Sequence, residues 1–264
     1  MTWAALVEAS WALGERSLYL TSPHMRGDDV AELQAHLGRL GFDCGRVDGI
    51  FGKLTLHALE EFQANCGVAV DGICGADTVR TIRRVISQTG SGPGIAVVRE
   101  LEHLRTVRPS LSDIRIVVGQ FGGLSALTRG IGRQLRARRA HVMLLDELDA
   151  GAQAQAANRF DADVYLGFES RPEPGATVHF YRVPTFESVG GRSLADRLAQ
   201  QLHTVEGLGV TVTGQRLPVL RETRMPAVLS HLGSREAASR TPAIVRAVVG
   251  AVAQWNDAPL SPAP

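Results

Sequence analysis

The stretch IRIVVGQFGGL, residues 114–124, combines an apolar run with a Gly-rich turn, and a helical pattern follows it. The apolar run predicts a short strand, and the turn predicts a sharp connection from that strand into a helix. In α/β proteins such a turn usually carries the chemistry of the site. Here the turn offers only Gln120 and Phe121, with no His, Cys, Asp, Glu, Ser or Lys. The stretch therefore indicates an α/β fold in which the usual chemical groups are missing at this turn.

Further apolar runs alternate with helical patterns along the rest of the C-terminal region. The predicted strands are Ile114–Val118, His141–Leu145, Val164–Phe168, Val178–Val183 and Ala227–Leu229. The predicted helices are Leu124–Arg138, Ala152–Phe160, Arg192–Val205 and Pro242–Trp255. Alternation of this kind predicts a mostly parallel sheet that is flanked by helices.

The preceding region, residues 24–88, has the pattern of a small all-α unit. Apolar residues recur at helical spacing in three segments, which predicts three helices. The pentapeptide Asp-Gly-Ile-x-Gly occurs twice between them, at Asp48–Gly52 and at Asp71–Gly75. Asp-Gly favours a tight turn because glycine accepts a positive φ, and we expect the following isoleucine to insert into the core. These turns are therefore interpreted as scaffold first and as ligand contacts second.

Composition divides the chain into five segments, and the predicted fold class is multidomain. Residues 1–22 are predicted to be a terminal helix left from an upstream repeat that is missing from this chain, because they resemble the end of the helical unit. Residues 24–88 form a small all-α three-helix domain, and residues 89–112, which contain TGSGPG, form a linker. Residues 113–256 form an α/β domain with a mostly parallel sheet flanked by helices. Residues 257–264 are predicted to be a disordered tail.

Charge and hydropathy limit the class of partner. The net charge is +1 and 44% of the residues are apolar, so the chain has no overall field that attracts nucleic acid. An arginine cluster at residues 133–139 is interpreted as the solvated face of a helix. No segment has the length of a membrane span, and the N-terminus lacks the pattern of a signal peptide. Three cysteines without metal-ligand spacing predict buried thiols, and we expect a cytoplasmic protein with no transmembrane segment and no nucleic-acid partner.

The helical region resembles a known family. Its segments RGDDVAELQAHLGRLGF, VDGIFGKLTLHALEEFQ and VDGICGADTVRTI, within residues 26–83, are similar to the three-helix peptidoglycan-binding domain. The elements LGF, DGxFG, FQ and DGxxG follow one another in the order and at the spacings of that family. The resemblance implies peptidoglycan or its precursors as the ligand.

The C-terminal region resembles the zinc-dependent N-acetylmuramoyl-L-alanine amidases over about residues 111–255. The segment LPVLRETRMPAVLSHLGS, Leu217–Ser234, is similar to the family's Leu-x-Val-Leu-Arg-x-Thr-x-Met-Pro-Ala-Val-Leu-Val-Glu-x-Gly-Phe. AANRFDADVYLGF, Ala156–Phe168, and RSLADRLAQQL, Arg192–Leu202, support the same resemblance. The fold of that family is therefore expected, and its chemistry has to be judged from the individual site residues.

All four functional positions of the family are changed in this chain. The resemblance places Phe121 at the first histidine ligand and Leu124 at the glutamate ligand. Glu169 replaces the second histidine ligand, and His231 replaces the catalytic glutamate. A hydrolytic zinc ion needs about three N or O ligands and an open position for water, and two of these positions now carry only hydrocarbon. We therefore expect a pseudoenzyme with no catalytic residue, no bound metal and no cofactor.

Two other functions stay open at this stage. Glu169 and His231 can both bind metal and lie at the same sheet edge, with His179 as a third candidate, so an active zinc amidase with a rebuilt site is the first alternative. The second is a nucleotide-binding protein, because the strand, the Gly-rich turn and Asp146 after the next strand are similar to a dinucleotide-binding unit. The turn lacks the G-x-G-x-x-G spacing of such units, which weakens this alternative.

The whole arrangement is similar to the actinobacterial CwlM-type proteins. This resemblance implies a non-catalytic regulator of peptidoglycan synthesis that binds a peptidoglycan-precursor enzyme or a membrane-associated regulatory protein. That type carries a threonine in its C-terminal tail as a phosphorylation switch, whereas only Ser261 can be phosphorylated after Trp255 in this chain. The resemblance therefore does not extend to the tail switch.

Overall fold

The structure is a computed structural model, and it describes residues 11–88, 100–101, 104, 110–183 and 186–260. The chain divides into two compact units that meet in the sequence between Arg99 and Glu100. Most of the predicted linker and the first ten residues of the predicted terminal helix lie outside the described residues.

The first unit contains three helices, as predicted, and they enclose a small apolar core. They are α1 (Asp28–Arg39), α2 (Lys53–Cys66) and α3 (Ala76–Gln88). Helix α2 ends at Gly67, which adopts the left-handed conformation with φ 69° and allows the chain to turn away without a Cβ clash. Cys44 and Cys74 are buried and Cys66 is half-buried, and all three are free thiols. Burial raises the pKa of Cys44 and of Cys74 to about 12, so these two thiols are unreactive at neutral pH.

The two Asp-Gly turns are tight, but the residue that enters the core differs from the predicted one. Gly49 and Gly72 have φ values of 69° and 66°, as expected for the turn. The prediction that the isoleucine inserts into the core is wrong for Ile73, whose side chain is 39% exposed, and Ile50 of the other turn is only half-buried. The next residue is buried instead, Phe51 in one turn and Cys74 in the other, each with no exposed surface. Successive side chains of an extended segment point to opposite sides, so burial of this residue turns the isoleucine outward.

Residues 11–22 contain turns and one β-bridge and no helix, in contrast to the helix predicted for residues 1–22. The bridge joins Leu18 to Cys74 in antiparallel orientation, with Leu18 N donating to Cys74 O at 3.2 Å and Cys74 N to Leu18 O at 2.8 Å. Leu13 and Leu18 belong to the core of the first unit. This segment is therefore part of the packed unit.

The second unit is a seven-stranded sheet flanked by helices. Its strands are β1 (Arg115–Gln120), β2 (His141–Asp146), β3 (Val164–Arg171), β4 (Ala176–Val183), β5 (Phe186–Glu187), β6 (Val210–Gln215) and β7 (Ala227–Gly233). Its helices are α4 (Ser125–Ala137), α5 (Ala150–Arg159), α6 (Val189–Leu202), α7 (Pro218–Glu222), α8 (Ser234–Ser239) and α9 (Thr241–Asp257). The strand order is β2-β1-β3-β7-β4-β5, with β6 also paired to β4.

This architecture confirms the predicted α/β class with a mostly parallel sheet. Strands β1, β2, β3 and β7 run parallel, and β4 is antiparallel to β7. The five predicted strands and four predicted helices are present, whereas β5, β6, α7 and α8 were not predicted. Strand β6 escaped prediction because its sequence VTVTGQ is half polar. Among the described helices, none is long and apolar enough to cross a membrane.

Close packing fixes helix α4 against the sheet. A Cβ atom on Gly130 would lie 2.9 Å from a methyl group of Val245 in α9, and one on Gly132 would lie 2.8 Å from a methyl group of Leu144 in β2. Glycine inside a helix costs about 1 kcal/mol relative to alanine, and the close approach of α4 to both neighbours offsets that cost. The turn before α4 is thereby held at the carboxyl edge of the sheet.

The C-terminus is ordered further than predicted. Helix α9 continues to Asp257, and the carbonyls of Ala258 and Pro259 accept hydrogen bonds from Arg197 and Ser193 of α6, each at 2.6 Å. The part of the predicted disordered tail at residues 257–260 is therefore packed against α6, and residues 261–264 lie outside the described residues.

Candidate functional site

The carboxyl ends of the parallel strands form the natural location for a site in this sheet. Strands β1, β3 and β7 are neighbours, and the chain proceeds from β1 to β2 on one side and then to β3 on the other. Ligands of open α/β sheets bind where the strand order reverses in this way. Phe121 follows β1 at this point, and its N–H donates to the carbonyl of Phe168 in β3 at 2.9 Å. The candidate site therefore lies at this edge.

Three polar side chains form a chain of contacts across β3, β7 and β4. Glu169 and His231 are directly opposite each other in the β3–β7 ladder. Glu169 Oε2 lies 3.1 Å from His231 Nε2, and His231 Nδ1 lies 3.0 Å from His179 Nε2. The far nitrogen of His179, Nδ1, is buried and has no hydrogen-bond partner in the described part of the chain. The structure thus brings His231 together with Glu169 and His179, and Glu169 and His231 lie at the same sheet edge, as predicted.

The protonation of this cluster follows from its surroundings. Burial, together with the nearby charge of His231, lowers the pKa of His179 to about 4, so His179 is neutral at physiological pH. Burial alone would raise the pKa of Glu169, but the contact with His231 and the ion pair with Arg171 hold that pKa below its ordinary value. Arg171 Nη2 lies 3.0 Å from Glu169 Oε2. The Glu169 carboxylate therefore lies between Arg171 and His231, and the neutral imidazole of His179 contacts His231.

A cavity of about 300 Å³ opens beside the imidazole of His231. It is lined by Arg171, Glu173, Pro174, Gly175, Thr177, His231 and Gly233. The lining offers both signs of charge, a hydroxyl and backbone groups, which suits a small polar ligand.

The other two predicted site residues are part of the scaffold. Leu124 is 5% exposed and belongs to the main apolar core of the second unit. Phe121 is half-buried in the turn after β1. Neither side chain has an atom that can ligate a cation, although the backbone of Phe121 contacts β3, the strand that carries Glu169.

A buried network of amides holds the turn below Phe121. Gln120 Oε1 accepts from Leu124 N and its Nε2 donates to Ser125 Oγ, both at 2.6 Å. Gln153 Nε2 donates to the carbonyl of Gln120 at 2.8 Å, and Tyr165 Oη donates to Gln153 Oε1 at 2.7 Å. Gln120 thus accepts from the N–H of Leu124, the residue that precedes α4, and the polar side chains of the sheet stabilise the turn from within. Nothing in the sequence signalled this network.

The residues present do not fit the zinc site that the amidase resemblance implies. Two of its positions carry hydrocarbon, and the facing nitrogen and oxygen atoms of Glu169, His231 and His179 are turned toward one another. No group of three or more His, Cys, Asp or Glu side chains is arranged to hold a metal ion within the ranges that the structure covers. A zinc ion would require these side chains to break their mutual contacts and rotate.

The first unit contains a second polar feature, a buried glutamine that holds each Asp-Gly turn. Gln34 Nε2 donates to Asp48 Oδ1, and Gln34 Oε1 accepts from Gly49 N, both at 2.8 Å. Asp48 Oδ1 also accepts from Ile50 N at 2.9 Å, and Thr55 Oγ1 lies 3.0 Å from Gln34 Nε2. These atoms saturate one another and close the turn.

The second turn repeats the arrangement. Gln63 Nε2 donates to Asp71 Oδ1 at 2.8 Å, and Gln63 Oε1 accepts from Gly72 N at 3.0 Å. The hydrogen bond from Ile73 N, followed by that from Gln63, lowers the pKa of Asp71. A threonine follows the aspartate by seven positions in both turns, and this repeated spacing could have predicted the arrangement.

Next to the second turn, several apolar side chains are exposed. The antiparallel bridge between Leu18 and Cys74 makes Tyr19 and Ile73 cross-strand neighbours. Tyr19 is 45% exposed, Ile73 39% and Val70 59%. An exposed aromatic ring beside aliphatic side chains is a surface that a ligand can cover.

Comparison with known proteins gives one family match and several similar relatives. The peptidoglycan binding domain family matches residues 26–82. The chain is 34% identical over 265 residues to the N-acetylmuramoyl-L-alanine amidase CwlM of Mycobacterium tuberculosis, covering 88% of this chain and 65% of that relative. It is 52% identical over 52 residues to a spore cortex-lytic enzyme of Bacillus cereus, a match that covers 20% of each protein. The chain thus spans less than two thirds of either relative.

Among solved structures, the chain is similar to the N-acetylmuramoyl-L-alanine amidase from Clostridium difficile 630, with a TM-score of 0.44 and 14% identity. That match covers 55% of this chain and 98% of the other. The match in residues 26–82 and the mycobacterial similarity over most of the chain agree with the resemblances seen in the sequence. Residues 26–82 therefore match the peptidoglycan binding domain family, an α/β domain follows them, and most of the chain is similar to the mycobacterial amidase.

Proposed function

We propose that this protein is a cytoplasmic, non-catalytic member of the amidase fold that binds peptidoglycan-related ligands or partner proteins and regulates peptidoglycan synthesis. The observation that carries the proposal is the burial of Leu124, 5% exposed, in the apolar core at a position where the active amidases need a metal ligand. A leucine in the core cannot be exchanged for a ligand by a rotamer change. On this proposal, the amidase-like domain supplies a surface for binding rather than a site for hydrolysis.

The family of residues 26–82 supports a cell-wall ligand for the first unit. On our proposal, the exposed surface of Tyr19, Val70 and Ile73 contacts the glycan or peptide portion of peptidoglycan or of a precursor. The expected partners of the second unit are an enzyme of peptidoglycan precursor synthesis or a membrane-associated regulatory protein.

An active amidase is the second candidate, because the structure brings Glu169, His231 and His179 within contact distance. Rotation of these side chains would be needed before they could share one zinc ion. This candidate predicts about one zinc ion per chain and loss of that zinc in a His231→Ala variant.

Metal analysis and digestion separate the two candidates. The full chain is purified without chelator, its zinc content is measured, and it is incubated with muropeptides whose products are identified by mass spectrometry. We expect substoichiometric zinc and no release of peptide. Stoichiometric zinc together with peptide release that His231→Ala abolishes would overturn the proposal.

Binding to the wall polymer is tested by co-sedimentation with purified peptidoglycan. Tyr19→Ala is expected to reduce the bound fraction several-fold, because the truncation removes the exposed aromatic ring that supplies most of the contact area of this residue. Leu260→Ala, which removes another exposed apolar side chain in the second unit, serves as the matched control. Equal binding by both variants would remove Tyr19 from the proposed surface.

A further inference from the structure

Strand β2 forms one edge of the sheet in the second unit. It pairs with β1 on one side, and no described strand pairs with its other side. Its sequence, HVMLLD, contains no proline, and its four central side chains are apolar and half-buried. Natural edge strands are usually protected by prolines, bulges or inward charges, because an open edge pairs readily with another strand. The composition of β2 lacks these protections.

The direction of each backbone group along β2 follows from one hydrogen bond. His141 N donates to the carbonyl of Ile114 at 3.0 Å, so the backbone groups of His141 face the body of the sheet. Because alternate residues of a strand direct their N–H and C=O groups to opposite edges, those of Val142, Leu144 and Asp146 face outward. One outward carbonyl, that of Val142, accepts a hydrogen bond from Arg136 Nη2 at 2.8 Å.

The two ends of this edge carry opposite charges. Between Ser125 and Ala140, immediately before β2, the sequence contains five arginines and neither Asp nor Glu. They are Arg129, Arg133, Arg136, Arg138 and Arg139, and all are exposed. None of them forms an ion pair with a carboxylate in the described part of the chain.

At its other end β2 runs into an acidic loop. Asp146, Glu147 and Asp149 are exposed, and Leu148 between them is 60% exposed. Arg136 and Arg138 donate to backbone carbonyls, those of Val142 and Val249, and no carboxylate within the described ranges offsets the charge of the arginines. Their counter-charges are at the opposite end of the same strand, beyond their reach within one chain.

We propose that β2 pairs with β2 of a second copy of this chain, antiparallel and across a two-fold axis. In the register centred on Leu144, this residue faces Leu144 of the second copy, and Val142 faces Asp146 of the second copy. These residues have outward N–H and C=O groups and exchange hydrogen bonds as antiparallel partners do. The same register sets Arg139 opposite Asp149 of the second copy.

The distribution of charge selects a second copy as the occupant. A strand with a basic start and an acidic end is complementary to itself only when the partner runs in the opposite direction, which is the relation that a two-fold axis imposes. In the dimer, Asp146 N of the second copy replaces Arg136 as the donor to the Val142 carbonyl. Arg136 is then free to contact the acidic loop of that copy. Pairing also covers the half-exposed side chains Met143 and Leu145.

The assembly is tested by sedimentation equilibrium of the full chain over a wide concentration range. We expect a reversible rise from the 28.3 kDa of one chain to twice that mass, weakened by added salt because the flanking ion pairs are screened. Hydrogen exchange measured at low and high protein concentration is expected to show slower exchange at the amides of Val142, Leu144 and Asp146 in the dimer.

Three variants locate the interface. Val142→Pro removes an outward N–H that the β1 ladder does not use, so the sheet is retained while pairing is lost. Arg139→Glu is expected to weaken association by about tenfold, and Arg139→Glu combined with Asp149→Arg, at the residue that the register places opposite it, is expected to recover most of it. Arg133→Glu, which makes the same charge change outside the paired stretch, is the matched control and is expected to dimerise normally.

Circular dichroism of each variant verifies that the fold is intact. A chain that stays monomeric at every soluble concentration would overturn the proposal. So would a dimer that Val142→Pro and Arg139→Glu leave unchanged, or one that Arg133→Glu disrupts as strongly as Arg139→Glu.

Discussion

The Asp-Gly turns of the first unit and the Glu169–His231–His179 cluster of the second are both built from polar side chains, but their hydrogen bonding differs. In each turn, a buried glutamine, an aspartate and backbone N–H groups satisfy one another, and the arrangement occurs twice. In the cluster, the far nitrogen of His179 is buried and finds no hydrogen-bond partner among the described residues, and a cavity opens beside His231.

This difference separates scaffold from candidate site. A saturated polar network makes the fold rigid and has no capacity left for a ligand. An incompletely satisfied network costs free energy and persists where another requirement maintains it. The comparison therefore makes the cluster and its cavity the candidate ligand site of the second unit, and the exposed surface beside the turn, rather than the turn itself, the candidate surface of the first unit.

Removal of the buried amide is expected to give the largest loss of stability. Gln34→Ala leaves the N–H of Gly49 and one oxygen of Asp48 without their buried partner, which costs about 3 kcal/mol of the free energy of unfolding of the first unit. Urea denaturation measures this loss. Asn65→Ala, which removes an exposed side-chain hydrogen bond on α2, is the control and is expected to cost about 0.5 kcal/mol or less. A similar small loss for both variants would contradict the role assigned to the amide.

Truncation of the leucine at the former ligand position tests whether it now serves the core. Leu124→Ala is expected to lower the free energy of unfolding of the second unit by about 2.5 kcal/mol, in the range of buried leucines. Thermal and urea unfolding measure the effect. The exposed Leu260 supplies the matched leucine truncation, Leu260→Ala, with an expected loss near zero. If Leu124→Ala were as mild, this position would be available for a ligand.

The cluster predicts a dependence of stability on pH. The pKa of His179 is about 4 in the folded protein, against 6.5 for an ordinary histidine. The unfolded chain therefore binds a proton more readily between these values, and stability that is complete above pH 6.5 falls as the pH drops toward 4. The loss is on the order of 2 kcal/mol.

This dependence is measured by urea denaturation at several pH values, and the His179 imidazole is followed directly by NMR. His179→Gln is expected to flatten the profile of the second unit between pH 6.5 and 4. If His179→Gln left the dependence of stability on pH unchanged, other groups would be responsible for that dependence. His36 in the first unit, whose pKa burial also lowers, contributes in the same direction, so the two units are followed separately.

Replacement of the turn isoleucine is expected to have the smallest effect. Ile73→Ser changes a side chain that is 39% exposed and outside the core, so the free energy of unfolding is expected to change by about 0.5 kcal/mol or less. The same denaturation assay measures it, with Gln34→Ala as the reference for a damaged turn. A loss above that of a surface substitution would restore the isoleucine as a core residue.

The sequence predicted the local structure well because local rules act over a few residues. The helical spacing of apolar residues located α1 to α3, and the glycines of the Asp-Gly turns have the positive φ that was expected. The direction of Ile73 was missed because it depends on which neighbour the bridge to Leu18 buries. Strand β6 was missed because one of its faces is polar and it is held by its pairing with β4.

By itself, the sequence determined the two kinds of unit and the succession of most strands and helices along the chain. It also determined the presence of hydrocarbon side chains at Phe121 and Leu124. It also predicted that Glu169 and His231 lie at one sheet edge with His179 as a third candidate, but only the tertiary structure decided that these side chains contact one another. Glu169, His231 and His179 come from three strands whose adjacency depends on the order β3-β7-β4, and strand order is set by packing of the whole sheet rather than by any local pattern. The same holds for the open edge of β2, because a strand becomes an edge only through the placement of all the others.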